Sequence, residues 1–180
     1  FLAAIAIVVR LRPAEGPRLE GLRYFASCRP ARGVGGDFYD FLGLGPRRLG
    51  IGVGDVAGKG ISAALLMASL QALLRSHAVA DADHLENLVR ELNRHLCETT
   101  DDARFATFFF AAFDESTRRL SYVNAGHVPP LVVRAPRDGN GELEVLHLAS
   151  SGTPLGLFEE GDWRSEQIQL QAGDRLLMFS

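Results

Sequence analysis

Cysteine is scarce. Cys28 and Cys97 are the only two in 180 residues. Two thiols cannot build a cysteine zinc site, and their separation fits no redox motif. They read as reduced thiols, which points to a cytoplasmic setting. Lysine is scarcer still: Lys59 stands alone among 19 basic residues, a bias read as a matter of coding. No long run of one charge sign occurs and the net charge is −3, so nucleic acid is not an expected partner. Long apolar runs are missing too. Phe1 to Val9 is apolar throughout, but nine residues are half of what a membrane span needs. That stretch reads as a linker helix able to pair two copies of the chain. The alternative is the tail of a span that begins upstream and tethers the protein to a membrane. Internal repeats and low-complexity tracts are absent.

What remains is an ordinary globular composition, 47% hydrophobic and 23% charged. A chain of this length makes about one domain and buries roughly 70% of its unfolded surface. Pro13, Gly16 and Pro17 break any helix begun at residue 1. Residues 1–17 are therefore taken as linker and breaker, and 18–180 as the domain.

Leu22 to Cys28 reads as a strand, and Phe38 to Leu44 as a second. Leu49-Gly50-Ile51-Gly52-Val53-Gly54-Asp55 is a third, with its apolar residues on one face and only glycine on the other. A glycine face weakens a strand unless something approaches its backbone closely. That neighbour is either a tightly packed layer or a ligand at the strand's end. A helix should follow Gly60 to about His77, with Leu66, Leu70, Leu73 and Leu74 as its stripe. A second should begin near Asp83, where Asp83 and Glu86 suggest a capping box. Its apolar residues are Leu85, Leu88, Val89, Leu92 and Leu96, and the two helices should pack together. Phe105 to Phe113 is nearly all apolar, as in a strand buried on both faces. Short strands follow at Leu120 to Asn124, Leu131 to Arg134, Leu143 to Leu148, Arg164 to Leu170 and Arg175 to Ser180. Strands, two helices, then consecutive strands argue for α+β with antiparallel sheets.

Asp37 and Asp55 each follow glycines at the junction of an extended segment and a loop. Two carboxylates 4 Å apart repel by about 4 kcal/mol at an effective dielectric of 20. A divalent cation between them reverses that sign. Oxygen donors select hard ions, Mg²⁺ or Mn²⁺, which suit phosphoryl chemistry. Asp beside Gly is also an ordinary turn residue, so the pair alone decides little. Two decoys fail. Gly58-Lys59 is not a P-loop, because residue 53 is Val and residue 60 is Gly. Gly35-Gly36-Asp37-Phe38 lacks the second acidic residue that the diguanylate cyclase signature places between Asp and Phe.

The joint pattern is more telling. Arg29-Pro30-Ala31 leads into Val34-Gly35-Gly36-Asp37-Phe38-Tyr39-Asp40-Phe41, followed by Gly54-Asp55-Val56-Ala57-Gly58-Lys59-Gly60. Then come Asn124-Ala125-Gly126-His127-Val128-Pro129-Pro130, Pro154-Leu155-Gly156 and a closing Ala172-Gly173-Asp174-Arg175-Leu176-Leu177-Met178-Phe179-Ser180. In this order, from about residue 13 to 180, they resemble the bacterial PPM-type (type 2C) serine/threonine phosphatases of the SpoIIE and RsbU kind. The resemblance implies two stacked antiparallel sheets flanked by helices, with a site for two divalent cations, Mn²⁺ or Mg²⁺, at one edge. It implies Asp37 and Asp55 as metal-binding and catalytic aspartates, Asp55 bridging both ions, and Val56 as a backbone-carbonyl ligand. Water would attack phosphorus directly, with no phospho-enzyme.

Gly36 and His127 match active-site support. For His127 a structural role stands against that of an acid catalyst. Asp40, three residues past Asp37, falls on the other strand face and is taken as structural. The implied substrate is a phosphorylated anti-anti-sigma-like protein, with an upstream sensor domain. In the family the next residue after Ser180 would be another metal-binding aspartate. The resemblance therefore implies a domain C-terminally truncated, and a fragment of poor turnover. The alternative is a degenerate, non-catalytic binding module.

Overall fold

The computed structural model describes residues 17–28, 35–100, 104–136 and 142–180. The expected linker helix at 1–9 and the Arg29-Pro30-Ala31 motif lie outside them. The elements run β1 (Asp37–Gly43), β2 (Arg48–Val56), α1 (Ile61–His77), α2 (Leu85–Thr99), β3 (Ala106–Asp114), β4 (Arg119–Ala125), β5 (Leu131–Arg134), β6 (Glu144–His147), β7 (Glu166–Gln169) and β8 (Arg175–Leu177). A five-stranded antiparallel sheet has the order β1-β2-β3-β4-β7, and a three-stranded antiparallel sheet the order β6-β5-β8. The helices cover one face of the larger sheet and the smaller sheet covers the other. Antiparallel sheets with helices are what the order of elements argued for, and their stacking in two layers is what the resemblance implied. No helix among the described residues is long and apolar enough to cross a membrane.

β3 explains the layering. Phe108, Phe110 and Ala112 pack with the helices, while Phe109, Ala111 and Phe113 pack with the second sheet. A strand with no polar face must be covered on both sides. The helices supply matching stripes. Leu85, Leu88, Val89, Leu92 and Leu96 of α2 are all buried, as are Leu66, Leu70 and Leu74 of α1.

The glycine face of β2 is the packing alternative realised. A Cβ at Gly52 would lie 3.1 Å from Leu74 Cδ2 of α1, and one at Gly54 would lie 2.6 Å from Phe38 Cε1. Without side chains there, a column of Phe38, Phe108 and Phe110 rings fits over the strand, with centroids 6.0 and 6.3 Å apart.

Two expectations are corrected. Leu22–Cys28 forms no strand: Leu22 and Tyr24 pack against the inter-sheet core, but the backbone joins no ladder. Side chains hold the segment instead, through a Tyr24–Phe41 ring contact and a Tyr24 hydroxyl that donates to the Pro17 carbonyl. The capping box at Asp83 and Glu86 is not formed either. α2 starts at Leu85 behind His84 with no side-chain cap, because the Asp83 carboxylate accepts from Arg48 Nη2 at 2.8 Å.

Candidate metal centre

Antiparallel pairing places Asp37 of β1 directly opposite Asp55 of β2, and Asp55 opposite Thr107 of β3. Such partners share a sheet face, with Cβ atoms about 4.5–5.5 Å apart. Strand parity identifies the face. Phe41 of β1 and Leu49 and Ile51 of β2 pack into the inter-sheet core. Asp37 and Asp55 lie on the same side, at strand ends where that core gives way to solvent. Both are exposed. Burial of part of the Asp55 carboxyl raises its pKa above the ordinary value, and the Asp37 charge raises it further. The two acids thus resist being ionised together, the situation a shared cation relieves.

Gly36 belongs to the same corner. A Cβ there would sit 2.3 Å from the Val56 carbonyl oxygen, while the Val56 amide donates to the Gly36 carbonyl at 3.3 Å. Only glycine lets the start of β1 lie against that carbonyl. Val56 is fully buried, and its carbonyl oxygen lies against Gly36 at the edge of the corner. Two carboxylates and a carbonyl form a hard-oxygen set that fits Mg²⁺ or Mn²⁺. No third His, Cys, Asp or Glu joins a metal-holding group among the described residues, so this set is a partial one. A groove of about 340 Å³ opens beside it, lined in part by Cys28, Asp37, Tyr39, Val53, Phe179 and Ser180.

Asp40 takes the other face, as expected. It is wholly buried and receives Arg75 Nε at 2.6 Å, Arg75 Nη2 at 3.1 Å and Gln71 Nε2 at 3.1 Å. It fastens β1 to α1 and takes no part in the corner.

The Asn124-Ala125-Gly126-His127 motif is largely a piece of backbone carpentry. Buried Asn124 accepts the His127 amide at 2.8 Å and donates to the Leu148 carbonyl at 3.1 Å. Gly126 has φ +67° and a Cβ there would meet Pro154 Cγ at 2.4 Å. The turn carries the His127 ring inward, 3% exposed, with Nδ1 2.9 Å from Thr107 Oγ1. Nε2 is buried with no hydrogen-bond partner among the described residues. Burial lowers the His127 pKa, against the opposing influence of the Phe179 backbone and the Asp37 charge. The ring therefore lies within electrostatic reach of Asp37, while its burial favours the neutral form.

Two residues of this corner escaped the sequence reading. Thr107 is the one hydroxyl within the apolar run of β3, a signal that was there to be used. Ser180 donates to Asp37 Oδ1 at 2.7 Å across 143 residues of chain; the closing motif placed it next to the site but gave no sign of its pairing with Asp37.

Residues 45–180 match the family model for stage II sporulation protein E. The chain belongs to the SpoIIE family. Among its curated relatives, the phosphoserine phosphatase RsbP of Bacillus subtilis (strain 168) is 32% identical over 151 residues, covering 82% of this chain and 36% of RsbP. The crystal structure of the RsbU and RsbW domains of Rv1364c from Mycobacterium tuberculosis superposes with a TM-score of 0.65 at 30% identity, over 82% of this chain and 39% of that one. The PP2C phosphatase domain of Bacillus subtilis SpoIIE, at 23% identity, shares the fold with a TM-score of 0.62, over 78% of this chain and 40% of that one. The fold is thus the one shown by that PP2C phosphatase domain, the fold that the motifs implied. The chain spans about a third of the length of RsbP.

Proposed function

We propose that this SpoIIE-family domain is a metal-dependent protein phosphatase that hydrolyses phosphoserine or phosphothreonine on a regulatory partner. The observation that carries the reading is the register of β1 and β2, which sets Asp37 and Asp55 side by side on one exposed face. Asp37, Asp55 and the Val56 carbonyl would hold the divalent cations, Mn²⁺ or Mg²⁺. When bound, such ions offset phosphate charge and lower the pKa of water. The chain's own residues do the rest. Asp37 and Asp55 would fix the donor geometry, Gly36 lets the start of β1 lie against the Val56 carbonyl, and His127 with Thr107 packs the floor. The adjoining groove, with Tyr39 and Phe179 in its wall, would receive the peptide that carries the phosphate.

The name of RsbP, a phosphoserine phosphatase, supports phosphoserine hydrolysis, and the resemblance to sigma-factor-regulating phosphatases supports an anti-anti-sigma-like phosphoprotein as substrate and an upstream sensor as regulator. The test is hydrolysis of such a phosphoserine protein by the intact enzyme with Mn²⁺. Activity is expected to vanish on chelation and in Asp55→Asn. Metal-independent turnover, or full activity in Asp55→Asn, overturns the reading.

One observation favours a second reading, a non-catalytic binding module: the partial ligand set among the described residues. Binding of the phosphoprotein without turnover, at saturating Mn²⁺, would decide for it.

A further inference from the structure

We propose that Ser180 is a positioning residue for Asp37, fixing that carboxylate in the orientation a divalent cation needs. The inference rests on the metal-site reading above. β8 is anchored by pairing of Leu176 with Val132 and Leu177 with Leu131. Leu176 and Met178 then pack into the inter-sheet core. Along an extended chain, alternate residues share a face, so Ser180 falls on the same side as Leu176 and Met178 and meets the end of β1. There its hydroxyl donates to Asp37 Oδ1 at 2.7 Å. A hydroxyl bonded to a carboxylate in this way is among the stronger hydrogen bonds.

Asp37 needs such a restraint. It sits at the first position of an edge strand and is exposed, so packing does not choose its rotamer. It has Asp55 across the ladder and must be held against that repulsion until a cation arrives. The Ser180 bond takes one lone pair of Oδ1 and leaves Oδ2 and the remaining lone pair free to ligate. It also ties the smaller sheet to the larger at the mouth of the site, so the two aspartates are set by both layers of the sandwich. Partners of ligating carboxylates typically change metal affinity by 10- to 100-fold when removed.

The experiment is Mn²⁺ binding to the intact protein, followed by electron paramagnetic resonance of the free ion, in wild type, Ser180→Ala, Ser180→Thr and Asp55→Asn. Melting temperatures are taken in EDTA alongside. Ser180→Ala is expected to bind Mn²⁺ about 10-fold more weakly with an unchanged melting temperature, and Ser180→Thr to restore binding. Wild-type affinity in Ser180→Ala overturns the proposal, as does a threonine variant that fails to restore binding. Wild type that binds Mn²⁺ no better than Asp55→Asn overturns the metal-site reading itself, and this proposal with it.

Discussion

Arg75 of α1 grips Asp40 of β1 with two nitrogens, Nε on Oδ2 at 2.6 Å and Nη2 on Oδ1 at 3.1 Å. The carboxylate is wholly buried while the arginine side chain is 41% exposed. The two partners therefore differ in what their loss leaves behind. Removing the arginine leaves a buried charge with only Gln71 Nε2 and the Phe41 amide as donors. Removing the aspartate leaves a guanidinium that water can still reach. Arg75→Met should destabilise by about 3 kcal/mol, and Asp40→Asn by about 1–2 kcal/mol. For a chain of this size 3 kcal/mol is roughly 6–12 °C in melting temperature. Calorimetry of the two variants checks the order, and an Asp40→Asn loss larger than that of Arg75→Met would contradict it.

The glycine face of β2 makes a graded prediction. A Cβ at Gly54 would meet Phe38 at 2.6 Å and the Thr107 carbonyl at 3.1 Å, whereas at Gly52 the nearest atom is Leu74 Cδ2 at 3.1 Å. A leucine methyl can yield, but a ring wedged against backbone cannot. Gly54→Ala should cost about 2–3 kcal/mol and Gly52→Ala about 1 kcal/mol. Because Phe38 and Gly54 flank Asp37 and Asp55 in the sequence, only Gly54→Ala should also weaken Mn²⁺ binding. Urea unfolding and metal titration of the pair separate the two effects.

Much of this was written in short-range patterns. The apolar run of β3, the leucine stripe of α2 and the alternate glycines of β2 each state their own burial, because helix and strand periods translate directly into faces. Asp37 and Asp55 were visible as aspartates beside glycines, but their meeting depends on the register of two strands, which the flanking glycines leave undetermined. Asp83 was misread for a related reason. Its spacing to Glu86 suits a cap, yet Arg48, 35 residues earlier, offers a charged partner that outcompetes a backbone amide. Leu22–Cys28 alternates in burial like a strand, but side-chain packing holds it and its backbone joins no ladder. Ser180 and Asp37, at opposite ends of the described chain, could be linked only by the stacking of two sheets.

His127 gives the pH dependence a sign. Burial lowers its pKa from the ordinary 6.5, so below that value the unfolded chain takes up a proton that the folded ring refuses. Stability is then fully present above 6.5 and falls as pH drops toward the depressed folded value. The slope contributed by one such proton is at most about 1.4 kcal/mol per pH unit. His127→Gln should lose this contribution, so wild type and variant should converge in acid relative to their difference at pH 8. Urea midpoints from pH 8 to pH 5 test it, and parallel curves would show that the ring is not held neutral.

Asp55 has the opposite sign. Burial and the Asp37 charge raise its pKa from 3.8, so the folded chain holds that proton more tightly than the unfolded one. The stabilising effect is complete below 3.8 and is lost as pH rises through the raised folded value. At neutral pH the ionised carboxylate is thus a liability to the metal-free fold. Asp55→Asn should melt at a higher temperature than wild type in EDTA at pH 7, and the gap should close as pH falls toward 3.8. Added Mn²⁺ should reverse the order, because an ion that binds only the folded state raises its stability with concentration and the asparagine variant has lost a carboxylate oxygen that would ligate it. Melting curves of both proteins, with EDTA and with Mn²⁺, measure all three arms. If Asp55→Asn melts lower than wild type in EDTA, the carboxylate is supporting the fold rather than waiting for a cation.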